Sequence, residues 1–280
     1  MNSWQSESIW SFDETRAGDL VDAMRSSRGD GISVAVLDSG VDRGHPALCR
    51  NRGGEDFKIH TDDTVVAVDA QIAGDAFGHG TAVAGILCLL APGVCLDSYQ
   101  VLDGQNRGRA GAISSAAHHA IQSGSQVLHC SFGSPLLQRL WVYKDWVDRS
   151  YREGCRIVAA ASNRDIQQEE YPSSFSSVFG VSASERRAKL TLSAQPGTFI
   201  DLTVPGEWVN CPWKGGIWRS MTGSSFAAPI ATALIARALE VWPNLGFWEL
   251  KAMLMRLGEL EIPLSCLFGE EVITVLFPDL

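Results

Sequence analysis

Between residues 32 and 258, short runs of apolar and β-branched residues alternate with segments patterned for helices, and this alternation restricts the chain to one class of architecture. "ISVAVLDSG" (32–40), "VCLDSYQVLD" (94–103), "SQVLHCSFGS" (125–134), "CRIVAAASN" (155–163), "SVFGVSA" (177–183) and "TFIDLTVPG" (198–206) read as strands. "HGTAVAGILCLL" (79–90), "GAISSAAHHAIQSG" (111–124), residues 136–153, "SSFAAPIATALIARALEVW" (224–242) and "GFWELKAMLMRLG" (246–258) read as helices, the last with Met253 and Met255 in the core. Strands that are apolar along their whole length are buried on both faces, so the pattern predicts an α/β fold: a mainly parallel central sheet with helices on both faces. With no repeat, low-complexity segment or long linker, residues 1–280 read as a single domain. The terminal stretch "SCLFGEEVITVLFPDL" reads as a last strand packed on the core, with a partner-binding edge as the alternative.

In such sheets ligands bind beyond the carboxyl ends of the strands. Asp38 ends the first predicted strand, Ser131 the third and Asn163 the fourth. Composition narrows the ligand: the net charge is −9, which disfavours nucleic acid and anionic membrane surfaces, since both attract a basic face. No apolar run reaches the roughly 18–20 residues of a membrane span, and "MNSWQSESIWSFDETRAGDL" lacks the basic and apolar regions of a secretory signal. The seven cysteines are odd in number and scattered, which predicts a reducing, cytoplasmic setting, with a Cys88–Cys95 bridge as the one candidate pairing. The histidines show no metal-ligand spacing, and adjacent His118 and His119 point to different faces of a helix; no metal and no cofactor are predicted.

Two segments carry chemistry. "GDAFGHGTAVAGIL" (74–87) surrounds His79 with glycines and alanines, as if something must approach the imidazole closely. "MTGSSFAAPIATALIA" (221–236) sets two serines at the start of a second slim helix. Taken alone, Ser224 or Ser225 reads as a helix cap. A serine there also has a catalytic use, because free N–H groups and the helix dipole favour negative charge on a bound carbonyl oxygen. A serine needs a base, usually a histidine oriented by a carboxylate, and the chain supplies Asp38, His79 and Ser225 in that order.

With these residues the chain resembles the subtilisin-like serine peptidases, the subtilases, over nearly its full length. "VAVLDSGVDRGHPAL", "GHGTAVAGIL" and "TGSSFAAPIATALI" are similar to the family's aspartate, histidine and serine segments, and "IVAAASN" to the strand that supplies its oxyanion donor. The resemblance implies a three-layer subtilisin-like fold and a serine endopeptidase acting through an acyl-enzyme. It implies Asp38, His79 and Ser225 as the triad and Asn163 as oxyanion donor. "CSFGSP" resembles the wall of the first specificity pocket, which implies substrate contacts at Ser131, Phe132 and Gly133, with Ala160 and Ala161 on the facing strand. "LDGQNRGRAGAI" resembles the strand that pairs with substrate: Gly108 would let the backbones approach, and Ala110, Ile113 and Phe132 would line a distal apolar pocket. Flanking Arg107 and Arg109 predict an acidic preference two to four residues before the cleaved bond. In the loop after Asn163, Arg164 and the pair Glu169–Glu170 pull in opposite directions and leave the first pocket's preference open.

The chain departs from the family at Ser224, Phe226 and Thr222, where threonine, methionine and asparagine are usual; the triad is intact. Only 37 residues precede Asp38, which together with Met1 predicts a compact member that folds without a pro-region and processes a protein or precursor peptide inside the cell. The family's calcium site is not expected. No oxygen-rich loop follows the histidine helix, and Ala47 stands where a ligating aspartate would be. The expected partner is a protein or peptide substrate, not nucleic acid or membrane, and the oligomeric state is left open. A non-catalytic binding protein that keeps the fold is the competing reading.

Overall fold

Each inner strand sends alternate side chains to two separate cores. On β1 (Ser33–Asp38), Val34 and Val36 join one core while Ala35 and Leu37 join the other, the period of two that strand geometry imposes. The same division holds on β5 (Val127–Cys130) and β6 (Arg156–Ala160). The computed structural model describes residues 14–48, 53–164, 168–184, 191–194 and 199–278.

The remaining strands are β2 (Asp56–Ile59), β3 (Val65–Val68), β4 (Cys95–Gln100), β7 (Phe179–Ser184), β8 (Ser193–Ala194), β9 (Leu202–Pro205), β10 (Val209–Trp213) and β11 (Ile217–Met221). Among the described residues, nine of the eleven strands form one sheet in the order β3-β2-β4-β1-β5-β6-β7-β9-β8. Pairing is parallel except at the two edges, β2–β3 and β8–β9. The helices are α1 (Glu14–Ser26), α2 (Ala70–Ala73), α3 (His79–Leu90), α4 (Ala110–Gln122), α5 (Leu140–Arg152), α6 (Ser224–Val241), α7 (Phe247–Glu259), α8 (Leu264–Phe268) and α9 (Glu270–Leu276). One face of the sheet carries α3, α6 and the C-terminal helices over the larger core; the other carries α4 and α5. The α/β, three-layer, mainly parallel architecture is the one expected.

Four expectations change. The apolar C-terminus is not a strand. Leu264, Leu267 and Phe268, then Ile273, Leu276 and Phe277, recur at helical spacing and are buried in α8, α9 and the turn after α9, with Gly269 at φ 91° breaking the run between the helices. It covers the core and offers no partner edge. Two hairpins were not foreseen: β2–β3, so that Ser131 and Asn163 follow the fifth and sixth strands, and the separate β10–β11. Helix α6 is long and apolar enough to cross a membrane, with mean hydropathy 1.2 over 18 residues, but 83% of it is buried inside the protein as a core helix. Finally, the Cys88–Cys95 bridge does not form, and among the described residues Cys95, Cys130, Cys155, Cys211 and Cys266 are free thiols.

Candidate active site

Asp38 is the last residue of β1 and is 1% exposed. Its two carboxylate oxygens lie 2.8 and 2.9 Å from His79 Nδ1. One of them also accepts the Ser39 backbone N–H at 2.7 Å. A carboxylate accepts only, so Nδ1 carries the proton and Nε2 is left as the basic nitrogen. His79 opens α3, and its start is held by Asp75. That carboxylate accepts the backbone N–H groups of Phe77, Gly78 and Thr81, as well as the Ser39 and Thr81 hydroxyls. Burial disfavours the imidazolium, but the charge and hydrogen bond of Asp38 and the charge of Asp75 outweigh it, so His79 titrates above the ordinary value of 6.5.

The small residues around His79 have occupants other than the one expected. A methyl on Gly80 would lie 2.1 Å from Gly40 O, and one on Gly78, at φ 121°, would lie 2.3 Å from the Trp213 ring. The glycines admit the turn after β1 and the β10–β11 hairpin. Helix α3 also packs against α6, and the fully buried Ala82 and Ala231 belong to the core that the two helices share.

Neither serine caps α6 with its side chain. The N-cap is Gly223, at φ 148°. Ser224 Oγ donates to Ala161 O at 2.7 Å, and Ser224 N donates to Asn163 Oδ1 at 2.7 Å. That bond fixes the Asn163 amide so that its Nδ2 donors are left for another acceptor. Ser225 is half-buried, and its hydroxyl donates to Ser131 O at 3.2 Å rather than to His79. The next residue, Phe226, sets its ring edge-on to His79 at 5.5 Å, which brings the start of α6 beside the imidazole.

Ser131 ties β5 to α6 a second time, donating to Ser225 O at 2.9 Å. Behind it lies His129, which the sequence reading passed over. Its Nε2 is 2.7 Å from Ser131 Oγ and its Nδ1 2.8 Å from Thr232 Oγ1. Burial, with some help from the charge of His79, pushes its pKa down to about 3, so the ring is neutral; it donates to one hydroxyl and accepts from the other. An apolar strand position gives no sequence signal for such a residue. Asp75 did leave one, an acidic residue just ahead of a helix start.

The expected substrate contacts divide. Ser131, Phe132 and Gly133 lie on the segment bonded to Ser225. Ala160 and Ala161 are buried, with Ala161 N donating to Val181 O and Ala161 O taken by Ser224, so they back the site from within the sheet. Gly108 bridges Leu102, and a methyl there would meet the Leu102 side chain at 2.8 Å, so its missing Cβ makes room for the protein's own chain. Ile113 is 2% exposed and belongs to the core. Arg109 is committed to the β2–β3 turn. It pairs with Asp63 at 2.8 Å and donates to His60 O and Thr61 O, which removes half the basis for the expected acidic preference. That turn is the acidic stretch "HTDDTVVAVD", and among the described residues no cluster of three or more His, Cys, Asp or Glu is arranged to hold a metal.

An aspartate at the carboxyl end of a parallel strand, paired with a histidine at one helix start and close to a serine at another, is the arrangement of a class of serine hydrolase. Comparison with known proteins narrows it. Residues 29–258 match the subtilase family. Subtilisin BL of Lederbergia lenta is 29% identical over 232 residues, 79% of this chain and 81% of that protein. Subtilisin DY of Bacillus licheniformis is 27% identical over 237 residues, 78% and 80% of the two chains. Among solved structures, the S41 psychrophilic protease matches with a TM-score of 0.70 at 25% identity, covering 84% of this chain and 88% of that one. A cold-adapted subtilisin-like serine proteinase shares the fold with a TM-score of 0.66 at 22% identity, over 81% of each chain. The chain belongs to the subtilase family. It is a subtilisin-like serine endopeptidase, and its substrates are proteins or peptides.

Proposed function

We propose that Asp38, His79 and Ser225 form the catalytic triad and that Asn163 completes the oxyanion site. The observation that carries this reading is the Asp38 carboxylate, with both oxygens within 2.9 Å of His79 Nδ1, which leaves Nε2 as the base. Ser225 Oγ turns from Ser131 O toward Nε2 and gives up its proton as it attacks the peptide carbonyl. Asp38 stabilises the imidazolium that forms. The Nδ2 donors of Asn163 and the Ser225 N–H hold the oxyanion. The imidazolium then protonates the leaving amine, and the same base activates water to hydrolyse the acyl-enzyme. Ser224 and Ser131 are positioning residues: one anchors the start of α6 to Asn163 and Ala161, the other anchors it to β5.

The finer reading is a single-domain cytoplasmic enzyme that processes a protein or precursor peptide. Five free thiols among the described residues, one of them the exposed Cys95, support a reducing compartment. Catalysis is proposed to need no metal. The test is to incubate the purified chain with an unfolded protein substrate and identify the products by mass spectrometry. Wild type gives internal cleavages and Ser225→Ala gives none; cleavage surviving in Ser225→Ala overturns the assignment. EDTA is expected to leave both rate and melting temperature unchanged. A fall in melting temperature of several degrees, reversed by Ca²⁺, would reveal a stabilising ion.

A further inference from the structure

Glu169 and Glu170, whose charges the sequence leaves unresolved, point opposite ways in the structure. Glu169 accepts the Tyr171 hydroxyl at 2.6 Å, and these two residues line a cavity of about 460 Å³ with Lys251 and Asp201. The charged groups there have partners: Lys251 pairs with Asp201 at 2.9 Å and donates to two backbone carbonyls, and Glu169 is held by the Tyr171 hydroxyl. Glu170 takes no part in that cavity. Its backbone is fixed by Ser173 and Ser174. The adjacent Tyr171 pairs with Ser134 through two 3.0 Å backbone hydrogen bonds, which clamps this loop onto the segment that follows β5.

The clamp lays the Glu170 carboxylate over Gly133. A methyl built on Gly133 would lie 2.7 Å from Glu170 Oε2 and 3.3 Å from its Cβ. Two residues earlier stands Ser131, hydrogen-bonded to Ser225 through both its hydroxyl and its carbonyl. Glu170 is half-buried, and among the described residues its carboxylate has no hydrogen-bond or ion-pair partner. A partly desolvated carboxylate without a cation is half of a pair. Two residues of extended chain span about 6.6 Å, the reach of a lysine or arginine side chain.

We propose that Glu170 is a specificity-determining residue: it receives the Lys or Arg side chain of the substrate residue whose carbonyl Ser225 attacks. The inference rests on the catalytic role proposed for Ser225 and names the substrate class for that site. The carboxylate and the ammonium or guanidinium form a charge-assisted hydrogen bond across the pocket, and Gly133 leaves the space in which they meet.

The experiment uses fluorogenic peptides identical except at the residue before the cleaved bond, which is lysine, arginine, ε-acetyl-lysine or glutamate. Wild type is expected to favour lysine over acetyl-lysine in kcat/KM by about tenfold or more, the size of one charge-assisted hydrogen bond. In Glu170→Gln the ratio falls to near one, and Glu170→Lys reverses the preference toward glutamate. A wild-type ratio at or below one overturns the inference, as does a ratio unchanged in Glu170→Gln. The wild-type comparison does not depend on how well either variant folds. A fluorophosphonate probe run alongside separates the two levels. Labelled Ser225 with a flat peptide profile overturns Glu170 alone, whereas unlabelled protein overturns the role of Ser225 and this inference with it.

Discussion

Two buried imidazoles serve the start of α6 from different sides, and their surroundings give them opposite properties. His79 is 5% exposed and His129 fully buried, so both pay to become charged. His79 has the Asp38 carboxylate on Nδ1 and the charge of Asp75 nearby, and its pKa rises. His129 has two hydroxyls and no carboxylate, and its pKa falls to about 3. Burial alone makes a histidine a neutral hydrogen-bonding spacer. Burial beside a carboxylate makes it a base that can hold a proton in mid-reaction.

The most severe way to break this comparison is to remove the base. His79→Ala is expected to lower kcat by about six orders of magnitude, and Asp38→Asn, which takes away the partner that sets the tautomer, by about four, the sizes such losses take in the related subtilisin. Single-turnover acylation on a peptide ester checks both; Asp38→Asn within tenfold of wild type would show that the 2.8 Å contact is only structural. Next in size is Asn163→Ala, with an expected loss of about 10²–10³ in kcat, again the subtilisin value for an oxyanion donor. An unchanged kcat with acylation limiting would remove Asn163 from that role.

The smallest effect lies in the pH dependence of stability, where the two histidines have opposite signs. The folded pKa of His129 lies below 6.5, so the unfolded chain binds a proton that the folded chain refuses. Its contribution is fully present above about 6.5 and is lost as pH falls toward the folded value, by about 1.4 kcal/mol per pH unit. The folded pKa of His79 lies above 6.5, so its contribution is fully present below that value and is lost as pH rises through the folded pKa. His129→Asn keeps a donor and an acceptor in the slot but removes the titration. Denaturant melts should then show a shallower fall in stability between pH 6.5 and 4 than in wild type. Parallel slopes would mean that His129 is not held neutral.

The residues that were legible in the sequence are those whose chemistry demands a local pattern. Asp38 closes an apolar strand, His79 and Ser225 open helices of small residues, and Asn163 ends "IVAAASN"; each falls at the carboxyl end of the sheet. What stayed hidden depends on partners remote in the chain. Arg237 sits near the C-terminal end of α6, an apolar helix by composition, yet it donates to Met24 O, Arg25 O, Leu90 O and Leu267 O and stacks over Phe268. It joins α1, α3 and α8, and no window around residue 237 contains those partners. The C-terminal helices were misread because a short apolar run does not by itself separate helix from strand. Arg109 looked available to substrate because its partner, Asp63, lies 46 residues away at a hairpin turn that the sequence did not reveal.

The central claim is that Ser225 is a nucleophile because His79, charged on demand through Asp38, takes its proton. It is tested most directly by measuring the rate of fluorophosphonate labelling against pH and locating the adduct by peptide mapping. The expected result is one adduct, on Ser225, formed at a rate that rises with pH along a single ionisation above 6.5, the side to which Asp38 moves His79. That labelling should be lost in His79→Ala. A natively folded chain that stays unlabelled, carries the adduct elsewhere, or labels at a rate indifferent to pH would contradict the account.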